Sequence, residues 1–272
     1  MFFMKKIVKL LCMALLASTF TACDLLDIHP YAVKINGERD INATNIKEIE
    51  TSCRDKDSIR FVVTGDSQRW YDETEDFVKA VNSRNDIDFV IHGGDVSDFG
   101  MTDEFEWQRD ILNGLDVPYI VIIGNHDCIG NGKRTFKKIF GQLNFSFIAN
   151  RVKFICLNTN SMEFDYSEPI PDFTFIEDEL TNRQTEFDKT VFCMHARPLS
   201  EQFNNNDAKP FEYYVNLFPK VQFCTAAHDH RITAEAIFKD GVMYYGSDCM
   251  MNRNYLLFTI KADGYEYEVV PF

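Results

Sequence analysis

Side chains able to bind metal ions follow three apolar runs in the first half of the chain. The runs and the polar residues after them are Ile59–Thr64 with Asp66, Asp88–His92 with Asp95, and Ile120–Ile123 with Asn125. These positions are about thirty residues apart, the length of one βαβ unit, and right-handed crossovers bring such strand ends to one edge of a parallel sheet. We therefore expect three oxygen donors to converge at that edge.

Histidines occupy the matching places in the second half. The run Thr190–Met194 ends at His195, and the run Val221–Thr225 is followed by His228 and His230. If this last segment is extended, the two histidines point the same way and can reach one cluster. Oxygen and imidazole donors together suit Mn, Fe, Zn or Co better than Ca or a thiolate site. A single histidine is an ordinary structural residue, but six donors at successive strand ends predict a metal centre.

The patterns between these donors predict the elements that position them. In chain order they are helices at Glu73–Val81 and Thr102–Leu112, a hairpin of Phe145–Ile148 and Val152–Leu157, and a helix at Phe173–Leu180. From Ile232 to Val270 strand-like runs alternate with turns, as is typical of a closing antiparallel sheet. Cys156, Cys193 and Cys224 lie inside apolar runs, so we expect them to be buried thiols.

The polar segments at the strand ends form a set of motifs that resembles a known family. They are Asp66-Ser67-Gln68, Gly94-Asp95-Val96-Ser97-Asp98, Gly124-Asn125-His126-Asp127, His195 and Ala227-His228-Asp229-His230. This order is similar to the signature of the calcineurin-like metallophosphoesterase superfamily, which runs D-x-H, G-D-x-x-D, G-N-H-[DE], H and G-H-x-H. The resemblance extends from Phe61 to about Phe258. It implies an α/β fold with two mixed β-sheets sandwiched between helices, the four-layer metallophosphoesterase sandwich.

The resemblance also implies a role for each site residue and two divalent metal ions, Mn, Fe or Zn. Asp66 and His230 would bind one metal, Asn125, His195 and His228 the other, and Asp95 would bridge the two. His126 would contact the phosphate or protonate the leaving oxygen, with Asp127 orienting it as a dyad, and Asp98 would support a ligand. The implied reaction is hydrolysis of a phosphomonoester or phosphodiester by in-line attack of a metal-bridging hydroxide.

Two positions depart from the signature. Gln68 stands where the family has its first histidine, and an amide oxygen is a weaker donor than an imidazole nitrogen. Ala227 replaces the glycine of G-H-x-H, which is tolerable unless the position needs a positive φ. The first departure keeps open a rival function, a binding lipoprotein with a vestigial metal site and no turnover. Arg197 and Arg231 follow site residues and are candidates either for contact with phosphate oxygens or for solvated rim charges.

The first residues predict export and attachment to a bacterial membrane. Lysines precede a short apolar run, and Phe20-Thr21-Ala22-Cys23 resembles the lipobox of bacterial lipoproteins, so residues 1–22 are interpreted as a signal peptide and Cys23 as the lipidation site. A plain cleaved signal with a spare cysteine is the alternative. Residues 23–57, rich in charges and poor in periodicity, are predicted to be a tether, and residues 58–272 the metallophosphoesterase domain.

The charge balance limits the partners of this protein. The chain has 28 basic and 42 acidic side chains and a net charge of −14, which becomes −17 once the three lysines of the predicted signal are removed. A broad grip on a phosphate backbone needs clustered Lys and Arg, so we expect no extended nucleic-acid surface. We expect a phosphorylated small-molecule or lipid-linked substrate, held by metal ions rather than by a basic surface.

Overall fold

The computed structural model describes His29 and residues 31–272. The predicted signal peptide and Cys23 lie outside the described residues. The α-helices are α1 Ile41–Ser52, α2 Tyr71–Asn82, α3 Thr102–Leu112, α4 Gly132–Ile139, α5 Phe173–Thr181 and α6 Ala208–Val215. The strands are β1 Ile59–Thr64, β2 Phe89–His92, β3 Tyr119–Val121, β4 Phe145–Ala149, β5 Val152–Leu157, β6 Lys189–Met194, β7 Val221–Ala226, β8 Thr233–Glu235, β9 Tyr244–Gly246, β10 Asn254–Lys261 and β11 Gly264–Pro271.

Two mixed sheets hold these strands. The first has the order β11-β10-β1-β2-β3, in which β1, β2 and β3 run parallel and the hairpin of β10 and β11 pairs antiparallel with β1. The second has the order β4-β5-β6-β7-β9-β8, in which β5, β6, β7 and β9 run parallel. Parallel strands deliver their carboxyl ends to one edge of each sheet, so the segments after β1, β2, β3, β6 and β7 share one end of the domain.

Alternating side chains along the strands divide the molecule into four layers. Phe61 of β1 and Phe89 of β2 face the second sheet, where both rings meet Phe154 of β5 with centroids 5.1 and 5.5 Å away. Val62 between them faces the other way, into the cluster formed with α2, α3 and α4. On the second sheet, residues such as Phe192 face α5 and α6. The predicted fold, two mixed sheets sandwiched between helices, is confirmed, and the three expected strand cysteines are buried and unpaired.

The prediction of a tether was wrong for the segment that forms α1. This helix covers the free edges of both sheets: the Asn42 side chain donates to the carbonyl of Val121 at 2.8 Å and accepts from its N–H at 2.9 Å, as a neighbouring strand would. On the second sheet, the Glu50 carboxylate accepts from the N–H of Ile148 at 2.9 Å. An uncovered edge strand invites pairing with another chain, so α1 belongs to the domain that was expected to begin at residue 58.

Most predicted elements match their observed bounds within two residues, and two short helices, α4 and α6, were not predicted. The hairpin of β4 and β5 turns at Asn150 and Arg151, and both residues have a positive φ, which the favoured type I′ hairpin loop requires. The closing antiparallel run divides between the sheets, since β8 pairs with β9 while β10 and β11 extend the first sheet. In the part of the chain that the structure describes, no helix has the length and apolar character needed to span a membrane.

Candidate metal centre

Three of the predicted ligands meet at the end where the two sheets present their carboxyl edges. Asp66, Asp95 and His195 are buried, and one donor atom from each lies within 4.8 Å of the others. The Nδ1 of His195 lies 2.9 Å from the carbonyl oxygen of Gly93, so Nδ1 carries the proton and Nε2 faces the cluster as a free donor atom. This arrangement of two carboxylates and one imidazole is able to bind a divalent cation.

The remaining predicted ligands surround this trio. Asn125 Oδ1 lies 2.9 Å from His195 Nε2 and 3.1 Å from His228 Nδ1, so these three donors converge on one point. His230 Nε2 lies 3.3 Å from Asp66 Oδ1, on the other side of the cluster. The structure thus brings the six donors together in the two groups that the resemblance implies. Their roles as ligands stay a prediction.

The backbone at the site is strained in a consistent way. Asp66, Asp95, His228 and His230 have φ values of 51°, 57°, 67° and 49°, in the left-handed region that side chains other than glycine rarely adopt. Such strain persists where surrounding contacts over-determine it, typically at functional sites. The expectation that the last two point the same way from an extended segment was wrong: β7 ends at Ala226, and the two histidines reach the cluster from a coiled segment.

Ala227, the second departure from the family signature, fits this turn. Its φ is not positive, and its methyl group lies over two glycines of the first sheet. A Cβ on Gly65 would approach the Ala227 methyl to 2.8 Å, and one on Gly93 to 2.9 Å. The methyl group therefore occupies space that these glycines leave open, and the turn toward the histidines is undisturbed.

Two buried oxygens test whether the site fits metal ions. Gln68 Oε1 and Asp66 Oδ1 accept no hydrogen bond, although both residues are almost fully buried; His230 Nε2 lies 3.3 Å from Asp66 Oδ1 but does not donate to it. Burying an unpartnered polar oxygen is costly, and a bound cation would satisfy both atoms. The donor set of carboxylates, amides and imidazoles suits first-row divalent metals, so the residues present fit the group that the family motifs imply.

The charges at the site favour a cation. Burial alone would lower the pKa of His195, but the carboxylates of Asp95 and Asp66 outweigh it and raise that pKa to about 9. The Asp66 carboxylate beside it likewise raises the pKa of His230. Both effects show that the buried carboxylates stabilise positive charge at this point, the property that a divalent metal would exploit.

The predicted dyad of His126 and Asp127 was wrong. Asp127 is fully buried and does not contact the imidazole: its two oxygens accept from the backbone N–H groups of Asp95, Ser97 and Gly124 and from the Ser97 hydroxyl, all at 2.9 Å. Burial and the charge of Asp95 raise the pKa of Asp127 to about 7, against the lowering effect of these bonds. Asp127 therefore fixes the loops that carry Asp95 and Asn125.

Asp98 takes the place beside the imidazole instead. His126 Nδ1 lies 2.8 Å from the Asp98 carbonyl oxygen and 3.6 Å from the carboxylate oxygen Oδ1. The carbonyl requires a proton on Nδ1, so Nε2 is the atom that can meet a substrate. The Asp98 carboxylate also pairs with Arg69, a residue with a φ of 62° that follows Gln68 directly. Asp98 thus supports His126 rather than a metal ligand.

Several residues near the site carried no recognisable sequence signal. Glu201 lies 3.1 Å from His228 Nε2, Thr159 accepts from the backbone N–H after His195, and Asn160 donates to the carbonyl of Ile123 before the third motif. All three lie in loops whose distance from the motifs in sequence hides their contact. The sequence left the roles of two arginines undecided. Arg197 donates to the Asp229 carboxylate at 2.7 Å, and Arg231 is largely exposed.

A family model for calcineurin-like phosphoesterases matches residues 59–231. That match covers more than half of the chain and every residue of the cluster, so the protein belongs to the calcineurin-like phosphoesterase family.

Individual relatives agree with this class. A probable glycerophosphodiester phosphodiesterase of Arcobacter nitrofigilis is 43% identical over 51 residues, which is 19% of this chain and 19% of that relative. A dimetal phosphatase from Danio rerio superposes with a TM-score of 0.59 at 11% identity, covering 79% of this chain and 99% of the other. Purple acid phosphatase PPD1 of yellow lupin gives 0.55 at 14% identity, covering 79% and 54%. At such low identities the two structures establish the fold alone.

Proposed function

We propose that this protein is an exported, lipid-anchored phosphoesterase that uses two divalent metal ions to hydrolyse a phosphomonoester or a phosphodiester. The observation that carries the proposal is the pair of buried oxygens, Asp66 Oδ1 and Gln68 Oε1, which accept no hydrogen bond and lie beside Asp95 and the histidines. The family match and the short alignment to a glycerophosphodiester phosphodiesterase support the reaction class. Neither identifies the substrate.

The donor side chains fall into two groups, one for each metal ion. Asp66, Gln68, His230 and Asp95 would hold one ion, and Asp95, Asn125, His195 and His228 the other, as their grouping indicates. When bound, such ions polarise a phosphoryl oxygen and lower the pKa of water. His126 follows Asn125 directly, and its backbone N–H donates to Asp95 Oδ1 at 2.9 Å, which places this residue beside the shared carboxylate. Its Nε2 would neutralise a phosphoryl oxygen or protonate the leaving oxygen.

A comparison of two variants separates these roles. Asp95→Asn removes the charge that both groups of donors share, so we expect loss of bound metal and of hydrolysis. His126→Ala keeps every donor, so we expect metal content to be retained while kcat falls by about 10²–10⁴-fold. His29→Ala, in an exposed residue outside the domain core, is the control. Loss of metal in His126→Ala would show that His126 is a metal ligand and not the acid.

A binding lipoprotein with a vestigial site is the second candidate, and Gln68 is the observation that favours it. An amide oxygen completes a shell around a hard ion but holds borderline metals less firmly than imidazole does. The two candidates differ in turnover: purified protein loaded with Mn should hydrolyse bis(p-nitrophenyl) phosphate or p-nitrophenyl phosphate. Metal binding without hydrolysis of either compound would favour the binding protein.

A further inference from the structure

The catalytic end of the domain carries an unusual share of its exposed apolar side chains. Among the described residues, ten large hydrophobic side chains are exposed, and four of them lie in loops or short turns around the metal centre. These four form what we call the apolar rim: Phe99, Met162, Leu199 and Met251. Phe99 is 54% exposed, Leu199 58% and Met162 67%. Scattered exposed apolar residues are ordinary, but a group gathered at one site marks an interaction surface.

Hydrogen bonds place the loops of the apolar rim beside the site. Phe99 follows Asp98, whose carbonyl oxygen lies 2.8 Å from His126. Leu199 precedes by two residues Glu201, whose carboxylate lies 3.1 Å from His228. The turn that carries Met162 is tied to the same loop, because the Ser161 N–H donates to the carbonyl of Gln202 at 2.9 Å. On the other side, Met250 donates to the carbonyl of Asp66 at 3.2 Å, which brings Met251 to the rim.

The described chain also enters the domain at this end. The Tyr31 carbonyl accepts from the Asn131 side chain at 2.9 Å, and the Tyr31 ring lies against Gly130, where a Cβ would approach it to 2.5 Å. Gly130 comes two residues after the short turn His126–Cys128. Eight peptide steps separate Tyr31 from Cys23, a reach of about 28 Å at most, while a domain of this size is about 45 Å across. The catalytic end of the domain can therefore contact a membrane in which Cys23 is anchored, whereas the opposite end cannot.

The opposite end has a different character. The clefts around the turn of β4 and β5 and the turn of β10 and β11 are lined by more basic than acidic side chains, among them Arg54, Arg151, Lys189, Lys220 and Lys261. Electrostatic attraction to an anionic bilayer would draw this basic end to the lipid. Burial of the apolar rim would draw the catalytic end instead, and the two modes differ in their response to salt and to mutation.

We infer that the apolar rim docks the catalytic end on a lipid surface, and that the substrate is a membrane-borne amphiphile whose phosphoester lies at the bilayer interface. The inference rests on the proposed phosphoesterase function and names its substrate class. Docking would hold the metal centre over the head groups, so an amphiphilic phosphoester would reach it without leaving the bilayer. The rim contributes lipid contact and takes no part in the chemistry.

Vesicle binding of the unlipidated chain from Asp24 onward, which contains every described residue, tests the surface. The test variant is the triple change Met162→Ser, Leu199→Ser and Met251→Ser. The matched control is Tyr213→Ser with Leu217→Ser, two exposed apolar residues of α6 and its end, away from the site. The wild-type chain and the control should sediment with phosphatidylcholine vesicles at physiological salt, and the triple variant should bind at least about tenfold more weakly. Thermal unfolding checks that all three proteins are equally folded.

Turnover on soluble and embedded substrates separates failure of this inference from failure of the proposed function. All three proteins should hydrolyse bis(p-nitrophenyl) phosphate or p-nitrophenyl phosphate equally; if none does, the proposed function fails whatever the binding shows. On vesicles doped with phosphatidic acid, a monoester, or phosphatidylglycerol, a diester, only the triple variant should lose rate. Equal binding of the triple variant and wild type, binding to anionic vesicles alone that salt abolishes, or no binding at all would overturn the docking inference.

Discussion

Replacing Asp127 by Asn tests whether this residue is part of the scaffold or part of the chemistry. Its Oδ2 accepts from the N–H groups of Asp95 and Gly124, and its Oδ1 accepts from the N–H and the hydroxyl of Ser97. An asparagine has one oxygen, and its NH₂ group takes the place of the other oxygen, where it faces hydrogen-bond donors. If the remaining oxygen faces the N–H groups of Asp95 and Gly124, the Ser97 hydroxyl rotates to accept from the NH₂ group, and the buried N–H of Ser97 is left without a partner. We therefore expect the free energy of unfolding to fall by about 1–3 kcal/mol.

Asp98→Asn is the informative companion variant. It leaves the backbone carbonyl that holds His126 in place and removes a charge 3.6 Å from the imidazole. A unit charge at this distance is worth about 1 kcal/mol even in water-like surroundings, so kcat should fall at least about fivefold. Asp98 is buried, but asparagine keeps its shape and one oxygen for Arg69, whose own side chain is 55% exposed, so the free energy of unfolding should change little.

Urea unfolding at 25 °C and kcat on a soluble phosphodiester, measured for both variants with metal present, decide between the two assignments. We expect Asp127→Asn to lose stability and Asp98→Asn to lose turnover. The reasoning is refuted if Asp127→Asn is as stable as wild type and loses kcat to the extent of His126→Ala, because Asp127 would then be the partner of the imidazole.

Three further changes test other parts of the account. Asn42→Ala should lower the free energy of unfolding by about 2–4 kcal/mol in urea melts, because the N–H and carbonyl of Val121 lose their hydrogen-bond partner. An unchanged free energy would show that α1 is part of the tether and not of the domain. Lys153→Met should cost about 3–5 kcal/mol because the buried Lys153 pairs with Glu179 at 2.6 Å, while Lys209→Met at an exposed pair should cost under about 1 kcal/mol; equal costs would contradict this. Cys23→Ser should release the protein from the membrane fraction, and retention of the variant would point to another anchor.

The site was predictable from sequence where local pattern and position in the sheet coincide. Asp66, Asp95 and Asn125 each follow a β-branched apolar run, and parallel strands leave no other place for their ends than one edge. The same holds for His195 after β6. Because each of these signals is local, the donors could be placed before any contact between them was known.

What was missed depends on contacts between residues far apart in the chain. Asp98, and not the predicted Asp127, lies beside the His126 imidazole. The path of the loop after β2 sets these distances, and the residues adjacent in sequence do not reveal that path. The helix α1 has few apolar positions, and it is fixed by the contact of Asn42 with an edge strand 79 residues away. The left-handed backbone of His228 likewise follows from its N–H donating to Asp66, at 3.1 Å.

The metal content of purified wild-type protein, measured by elemental analysis after dialysis and again after addition of Mn, shows whether the cluster is a two-metal centre. We expect two ions per chain in the presence of added Mn, with the ion beside Gln68 lost first on dialysis, and phosphoester hydrolysis that follows occupancy. Gln68→His should retain the first ion through dialysis and keep its hydrolytic activity when metal is scarce. A wild-type protein that binds no divalent metal and hydrolyses neither a phosphomonoester nor a phosphodiester would contradict the account.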